Sequence, residues 1–298
     1  MKYAIRHHLT YIYDRPVTLA PHVLGLRPRC DLAQTLQHFS LEVDPPPERL
    51  TDLIDLDGND RVQLHFGTQP LDTLQITVCS TVETLRTNPF DFLLDPWASQ
   101  LPFDYPAALA AQLQPYLGGV AGNFPSLDPV AVTLSRQLWL EANGNPIPFL
   151  WNLNELIHSS CKYGVRDTGE PLPPGITWTE RSGSCRDFAI LFMEVCRAVG
   201  LAARFVSGYQ EGDPDWDERH LHAWVEVYLP GAGWRGYDPT QALAVGDRYI
   251  ALVAAPSSRA ASPFSGQLKT GVGAQSDLTY TLSIEPLKTA SPDSQPDL

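Results

Sequence analysis

The spacing of apolar residues changes about one third of the way along this chain, and that change limits the folds it can adopt. In the first 95 residues apolar and polar side chains alternate, as in Arg61–Phe66, which is typical of strands with one buried face. Asp57–Asp60 form a strong turn sequence just before that strand. Three later segments, Ala107–Leu117, Pro129–Glu141 and Pro148–Ser159, have the character of helices.

This pattern predicts an α+β protein of two domains. An N-terminal antiparallel β-sandwich is expected over residues 1–95 and a second domain over residues 96–290, with the Pro- and aromatic-rich passage Asn88–Pro106 at the boundary. Residues 291–298 are expected to form a frayed tail. The length of 298 residues and the hydrophobic content of 43% agree with two buried cores.

The composition argues against several classes of partner. The chain has 21 Lys and Arg against 34 Asp and Glu, and no basic block, so we expect no nucleic-acid partner. The longest uncharged run, Tyr105–Leu127, is interrupted by Pro and Gly, so we expect no membrane span. Met1–His8 lack the apolar core of a signal peptide, which makes the cytoplasm the expected location.

The segment Ser182–Ala189 has the features of a site for a nucleophile. Ser184 suits the N-cap of a helix and Asp187 stands three residues later, as in a capping box, so Cys185 would be the first helical residue. The positive end of the helix dipole favours a thiolate there. The five cysteines are scattered without a CxxC pair, so we expect reduced thiols. A buried, inert cysteine is the ordinary alternative, and Cys196 fits that description.

A second candidate pair lies further along the chain. In the alternating strand Leu221–Leu229, His222 and Trp224 share the polar face, where both could line a cleft. Asp238 follows a turn at Pro230–Gly233. It falls on the same face as His222 only if the hairpin loop has an odd number of residues or a strand contains a bulge. Taken singly, a strand histidine and an aspartate before proline have ordinary structural explanations; together with Cys185 they match the Cys-His-Asp arrangement of acyl transfer.

Two long segments of the sequence resemble the transglutaminase-like superfamily, which has a papain-like α+β fold: GSCRDFAILFMEVCRAVGLAARFVSGY and HAWVEVYLPGAGWRGYDPT. The resemblance is to a bacterial branch of cysteine proteases with an N-terminal β-rich region. It implies that Cys185 is the nucleophile, His222 the base and Asp238 the orienting acid. Tyr163 is a candidate second oxyanion donor by its rough family position. The stretch Ala255–Phe264 departs from the family pattern, which would alter specificity if this loop helps to form the cleft.

The resemblance and the three residues predict a thiol-dependent enzyme that hydrolyses amide bonds of a peptide or protein substrate. It needs no cofactor, and His220, His222 and Cys185 supply too few ligands at short spacing for a metal site. Two alternatives stay open. The same triad could transfer the acyl group to an amine, as a transglutaminase does, or the fold could serve a non-catalytic interaction protein. The sequence is compatible with a homo-oligomer and leaves the oligomeric state open.

Overall fold

The computed structural model describes residues 1–118, 127–166, 169–212, 219–270 and 273–287, and the predicted tail at 291–298 lies outside them. These residues form helices α1 (Ala107–Leu113), α2 (Pro129–Glu141), α3 (Pro146–Ser160), α4 (Pro174–Glu180) and α5 (Cys185–Ala198), with single 3-10 turns at Pro96–Ala98 and Gln114–Tyr116. The strands are β1 (Lys2–Leu19), β2 (His22–Leu24), β3 (Gln34–Asp44), β4 (Arg49–Ile54), β5 (Asp60–His65), β6 (Leu71–Thr84), β7 (Lys162–Tyr163), β8 (Ser182–Gly183), β9 (Ala203–Gln210), β10 (His222–Leu229), β11 (Gly233–Asp238), β12 (Leu243–Ala244), β13 (Tyr249–Ala255), β14 (Phe264–Ser265), β15 (Leu268–Thr270) and β16 (Ser276–Pro286).

The first part of the chain forms two antiparallel sheets. One has the order β15-β1-β6-β3 with β16 also paired to β1, and the other has the order β14-β2-β5-β4. The alternation in β6 buries Leu74, Ile76 and Val78 on one face, as the sequence predicts. The N-terminal β-rich region is therefore confirmed, whereas its description as a sandwich stays a prediction.

The C-terminal strands also belong to these sheets. Strand β16 pairs with β1 from Tyr3↔Pro286 to Tyr13↔Ser276, and β14 pairs with β2. Residues 264–265, 268–270 and 276–286, which the prediction placed in the second domain of residues 96–290, thus pair with strands of the N-terminal sheets. The division into two domains stays a prediction. The boundary near residue 95 stays a prediction.

The central part of the chain places a helix against an antiparallel sheet of order β12-β11-β10-β9-β13. Helix α5 contacts β9 and β10, and α2, α3 and α4 contact α5. The apolar series Phe188, Leu191, Phe192 and Val195 is buried, because its helical spacing places it on one face. This arrangement confirms the predicted α+β fold and brings the start of α5 close to the first residue of β10.

The predicted helices differ from the observed ones mainly at their ends. Helix α2 has the predicted bounds. Helix α3 begins two residues earlier than predicted, because the Asn145 side chain accepts from the Ile147 backbone N–H and Pro146 suits the first turn. The described residues contain no helix long and apolar enough to cross a bilayer.

Candidate active site

The first turn of α5 is organised around the buried carboxylate of Asp187. The backbone N–H of Ser184 donates to Asp187 at 2.7 Å and the Ser184 hydroxyl donates to the same oxygen at 2.8 Å. A Cβ at Gly183 would lie 2.9 Å from Asp187 Cβ and 3.1 Å from Phe188, so only glycine fits there. The helix start is thus fixed as predicted, with Cys185 as its first residue.

Asp187 also fixes chain segments that sequence patterns did not connect with the helix. Arg166 forms an ion pair with it at 2.5 Å, and the Leu172 backbone N–H donates to it at 2.7 Å. Arg186 donates to the carbonyl oxygens of Gly169 at 2.9 Å and Arg166 at 2.5 Å. The fully buried carboxylate therefore accepts from four donors, and it neutralises the charge of Arg166. The sequence analysis did not identify Arg166, because it lies 21 residues before Asp187 and no local pattern connects the two.

The hairpin of β10 and β11 brings Asp238 to His222. Its register, Leu229↔Gly233, leaves a loop of three residues, 230–232, so the predicted odd loop is confirmed. The pairing Val225↔Tyr237 puts Trp224 opposite Asp238, so the carboxylate reaches His222 diagonally on the same face of the sheet. The Nε2 atom of His222 lies 2.8 Å from Asp238 Oδ2.

Asp238 is completely buried and has three hydrogen-bond donors. Besides His222, the Tyr249 hydroxyl donates to it at 2.8 Å and the Thr240 backbone N–H at 2.9 Å. Burial alone would raise the pKa of Asp238, but His222 and these donors favour the carboxylate and hold its pKa below the usual value. Tyr249 is a member of the site that the sequence analysis missed, since it comes from β13, on the far side of β9.

His222 is held as an imidazolium. Burial works against the charged form, but the charge and hydrogen bond of Asp238 and a side-chain interaction with Cys185 outweigh it and raise the pKa of His222 to about 10. Because Nε2 bonds to Asp238, Nδ1 is the ring nitrogen that remains for Cys185. The structure therefore joins the thiol, the imidazole and the carboxylate in the predicted order.

The Cys185 side chain faces a cavity of about 240 Å³. The residue is only 7% exposed, yet the cavity gives access to it, and His222 and Tyr163 line the same space. Tyr163 packs edge-on against Phe188 at 6.4 Å between ring centroids. The predicted positions of Cys185, His222 and Tyr163 thus meet at one cavity, while the role of Tyr163 as a donor stays a prediction.

A larger cleft of about 910 Å³ adjoins this cavity, and Arg186, Ser207 and Phe264 line both. Residues of the divergent stretch Ala255–Phe264, Arg259 among them, line the larger cleft. The loop that departs from the family pattern is thus part of the surface next to the thiol, where it can influence which substrates bind.

Trp224 does not line the cleft, which corrects the expectation from the sequence. The residue is fully buried, packs edge-on against Tyr249 at 5.5 Å, and lies so close to Gly208 that a Cβ there would be 2.4 Å from the indole. The sequence analysis treated β10 as a half-buried strand, but β10 lies between β9 and β11 and both faces are covered at its start. Trp224 therefore packs beside His222, with 6.3 Å between the ring centroids.

The sequence analysis considered His220 as a metal ligand together with His222 and Cys185, and the structure gives it a different partner. Its Nδ1 bonds to the Tyr280 hydroxyl of β16. Within the described ranges, no group of three or more His, Cys, Asp or Glu side chains is arranged to hold a metal ion.

Comparison with known proteins identifies the class to which this fold and site belong. Residues 141–239 match the family model of the transglutaminase-like superfamily, and residues 3–83 match the bacterial transglutaminase-like N-terminal region. The core at residues 141–239 thus belongs to the transglutaminase-like superfamily. The matched core contains all three residues of the Cys-His-Asp group.

Individual proteins are similar to this chain in sequence or in fold. An uncharacterised protein of Mycobacterium tuberculosis is 29% identical over 267 residues, covering 84% of this chain and 82% of its own. A proposed cysteine protease of Cytophaga hutchinsonii has a similar fold, with a TM-score of 0.71, 21% identity, and coverage of 100% of this chain and 94% of its own. A protein-glutamine gamma-glutamyltransferase of Pseudomonas aeruginosa is 41% identical over 71 residues, covering 22% of this chain and 11% of its own.

Proposed function

We propose that this protein is a thiol-dependent acyl-transfer enzyme that hydrolyses amide bonds of peptides or proteins. The observation that carries the proposal is the meeting of the Cys185 thiol at a helix start with a His222 imidazolium held by the buried Asp238 carboxylate, at a cavity open to a larger cleft. Members of the superfamily are generally enzymes, either cysteine proteases or transglutaminases. The expected cytoplasmic location stays a separate prediction.

The geometry supports a two-step reaction. The Cys185 thiolate attacks the amide carbonyl carbon, and the C–N bond breaks as the His222 imidazolium donates its proton to the leaving nitrogen. An amine leaves and a thioester remains on the sulfur. His222 then takes a proton from water, which attacks the thioester carbonyl carbon; the C–S bond breaks, the carboxylic acid leaves, and the Cys185 thiolate and the His222 imidazolium are restored. Asp238 keeps the imidazole oriented in both steps.

The start of α5 also supplies a donor for the oxyanion that forms on the carbonyl oxygen. The first backbone N–H groups of a helix have no partner within the helix, so the Cys185 N–H is available to bind developing negative charge. Tyr163, in the wall of the same cavity, is the second donor in this proposal.

Acyl transfer to an amine is the second candidate function. The similarity to the Pseudomonas aeruginosa glutamyltransferase supports it, although the matched segment is 71 residues long. In this reaction a primary amine replaces water as the attacking group on the thioester. The three residues have the same roles in both reactions, so the acceptor must be identified by experiment.

The test compares wild type with Cys185→Ala on a mixed peptide library, with and without a fluorescent primary amine. Hydrolysis predicts new amino termini that depend on Cys185, whereas transfer predicts fluorescent peptides instead. Cys196→Ala is the matched control, because that thiol is fully buried in the same helix and should be dispensable. Products that persist in Cys185→Ala, or no product from wild type, would contradict the proposal.

A further inference from the structure

The cavity in front of Cys185 is lined by several parts of the chain, among them the start of α5, with Ser184 and Cys185. The paired strands β1 and β16 also line it and contribute side chains from one common face: His7, Leu9, Tyr11, Leu278 and Tyr280. The β-rich region therefore forms a wall of the site that contains the thiol.

This wall is uncharged and mainly apolar. Leu9 is almost fully buried, and the Tyr11 ring stacks on Phe264 with 5.0 Å between centroids. His7 is buried among these residues, and burial lowers its pKa to about 4, so it is neutral at physiological pH. The surface facing the thiol thus suits a hydrocarbon group better than a charged one.

The charged residues of the lining are occupied by contacts of their own. Arg166 is paired with Asp187, and Arg186 donates to the carbonyl oxygens of Gly169 and Arg166. These contacts fix the two guanidinium groups beside the helix start and reduce their availability for an acidic substrate group.

One polar atom in the wall lacks a partner. His7 Nδ1 bonds to the Tyr209 hydroxyl at 3.1 Å, whereas Nε2 is buried and has no hydrogen-bond partner in the described part of the chain. The accessible surface of that atom is negligible, so His7 offers no polar contact to a ligand in the cavity.

We propose that this cavity binds an apolar side chain, aliphatic or aromatic, next to the carbonyl that Cys185 attacks. This proposal rests on the proposed function and specifies its substrate class. It assigns the β1 and β16 strands a direct part in substrate selection, with Leu9, Tyr11 and Leu278 as the residues that select.

The test uses alkylation of the full-length protein by two reagents, iodoacetamide and its N-benzyl derivative, with the rate at each cysteine followed by mass spectrometry. Cys30 is exposed and serves as the internal reference for intrinsic reagent reactivity. Filling an apolar pocket with a hydrocarbon group should raise the benzyl-to-plain rate ratio at Cys185 roughly 10-fold or more above the ratio at Cys30. Equal ratios at Cys185 and Cys30 would overturn the proposal.

A matched pair of variants on β16 tests the wall itself. Leu278→Asn places a polar side chain in the cavity, and Leu278 is 36% exposed, so the fold should tolerate the change. We expect the benzyl preference at Cys185 to fall roughly 3-fold or more. Thr279→Asn is the control, because Thr279 is exposed and its side chain points to the other face of the strand. An unchanged preference in Leu278→Asn would refute the assigned wall.

The same measurement separates this proposal from the one on which it rests. If Cys185 reacts with iodoacetamide no faster than Cys30, the nucleophile assignment fails and the substrate class fails with it. If Cys185 reacts rapidly with iodoacetamide but shows no benzyl preference, the nucleophile assignment stands and the apolar pocket alone is overturned.

Discussion

Helix α5 carries one cysteine in its first turn and another in its last, and the two lie in opposite chemical environments. Cys185 faces a cavity and interacts with the His222 imidazolium. Cys196 is completely buried, and burial raises its pKa well above the usual value although the Arg197 charge works against this. The same side chain on the same helix is thus placed for reaction at one end and for packing at the other.

The difference comes from what surrounds each end of the helix. At the first turn, Asp187 accepts from Ser184 of the helix's own N-cap and from Arg166 and Leu172 of a preceding segment, and Cys185 lines a cavity. At the last turn, Arg197 donates to the carbonyl oxygens of Ala203 and Pro256, at 2.8 and 2.6 Å, and closes the packing around Cys196. A reactive thiol therefore requires a cavity and a charged partner. The surrounding structure supplies both, and the presence of a cysteine alone supplies neither.

The largest expected effect contrasts the two cysteines directly. Cys185→Ser should lower kcat/KM for amide hydrolysis about 100,000-fold, because the nucleophile is lost. Cys196→Ala should leave kcat/KM within about 2-fold and lower the free energy of unfolding by about 1 kcal/mol, because it leaves a small cavity. Steady-state kinetics and urea denaturation measure the two effects. Comparable loss of activity in both variants would remove the distinction between the helix ends.

The next effect concerns the carboxylate behind the histidine. Asp238→Asn should lower kcat about 10,000-fold, because a neutral amide keeps the shape but no longer stabilises the imidazolium. Tyr249→Phe removes one of the hydrogen bonds to the same carboxylate and should lower kcat roughly 10- to 100-fold. A kcat for Asp238→Asn close to wild type would separate Asp238 from the chemistry.

A third effect tests how the first turn is held. Asp187→Asn should lower the free energy of unfolding by about 3 to 5 kcal/mol, since it leaves Arg166 without its buried partner. Glu194→Gln on the same helix is the control. Glu194 accepts from the Asp128 backbone N–H, and its pKa is raised by burial, so replacing it should cost about 1 kcal/mol or less. Equal losses in urea denaturation would contradict a special role for Asp187.

The smallest effect is a pH dependence of stability. The pKa of His222 is about 10 in the folded protein against 6.5 ordinarily, so its stabilisation is fully present below pH 6.5 and is lost as pH rises toward 10. Between pH 6.5 and 8.5 the free energy of unfolding should fall with a slope of up to about 1.4 kcal/mol per pH unit. Asp238→Asn should show a shallower slope, because the main source of the raised pKa is gone.

Cys196 should not contribute to the pH dependence of stability between about pH 6.5 and 8.5. Its pKa is raised in the folded protein, so its thiol stays protonated there. Stability therefore falls on its account only above about pH 8.5, where the thiol of the unfolded chain ionises. Cys196→Ala should therefore keep the wild-type slope between pH 6.5 and 8.5. Parallel curves for wild type and Asp238→Asn in that range would refute the charged state assigned to His222.

Local sequence patterns were sufficient for the elements that carry the site. Ser184, Asp187 and the apolar series after Cys185 specify a capped helix through contacts within a few residues. The separation of His222 and Asp238, with the intervening turn, limits the hairpin to an odd loop or a bulged strand if the two are to meet, and the structure has an odd loop. These conclusions depend on the backbone geometry of a few neighbouring residues, which the local sequence largely determines.

Sequence patterns were insufficient wherever distant segments come together. The pairing of β16 with β1, the hydrogen bond of Tyr249 to Asp238 and the ion pair of Arg166 with Asp187 each join residues whose separation along the chain gives no periodic signal. Trp224 was misplaced for the same reason, since alternation within one strand does not tell whether its second face is covered.

The sequence by itself determined that a thiol stands at a helix start and that an imidazole and a carboxylate can share one face of a hairpin. Only the tertiary structure decided that these groups meet at a cavity, that β1 and β16 wall it, and that the second cysteine of α5 is sealed off. The physical reason is that backbone preferences act over a few residues, whereas burial and charge depend on every element packed around a group.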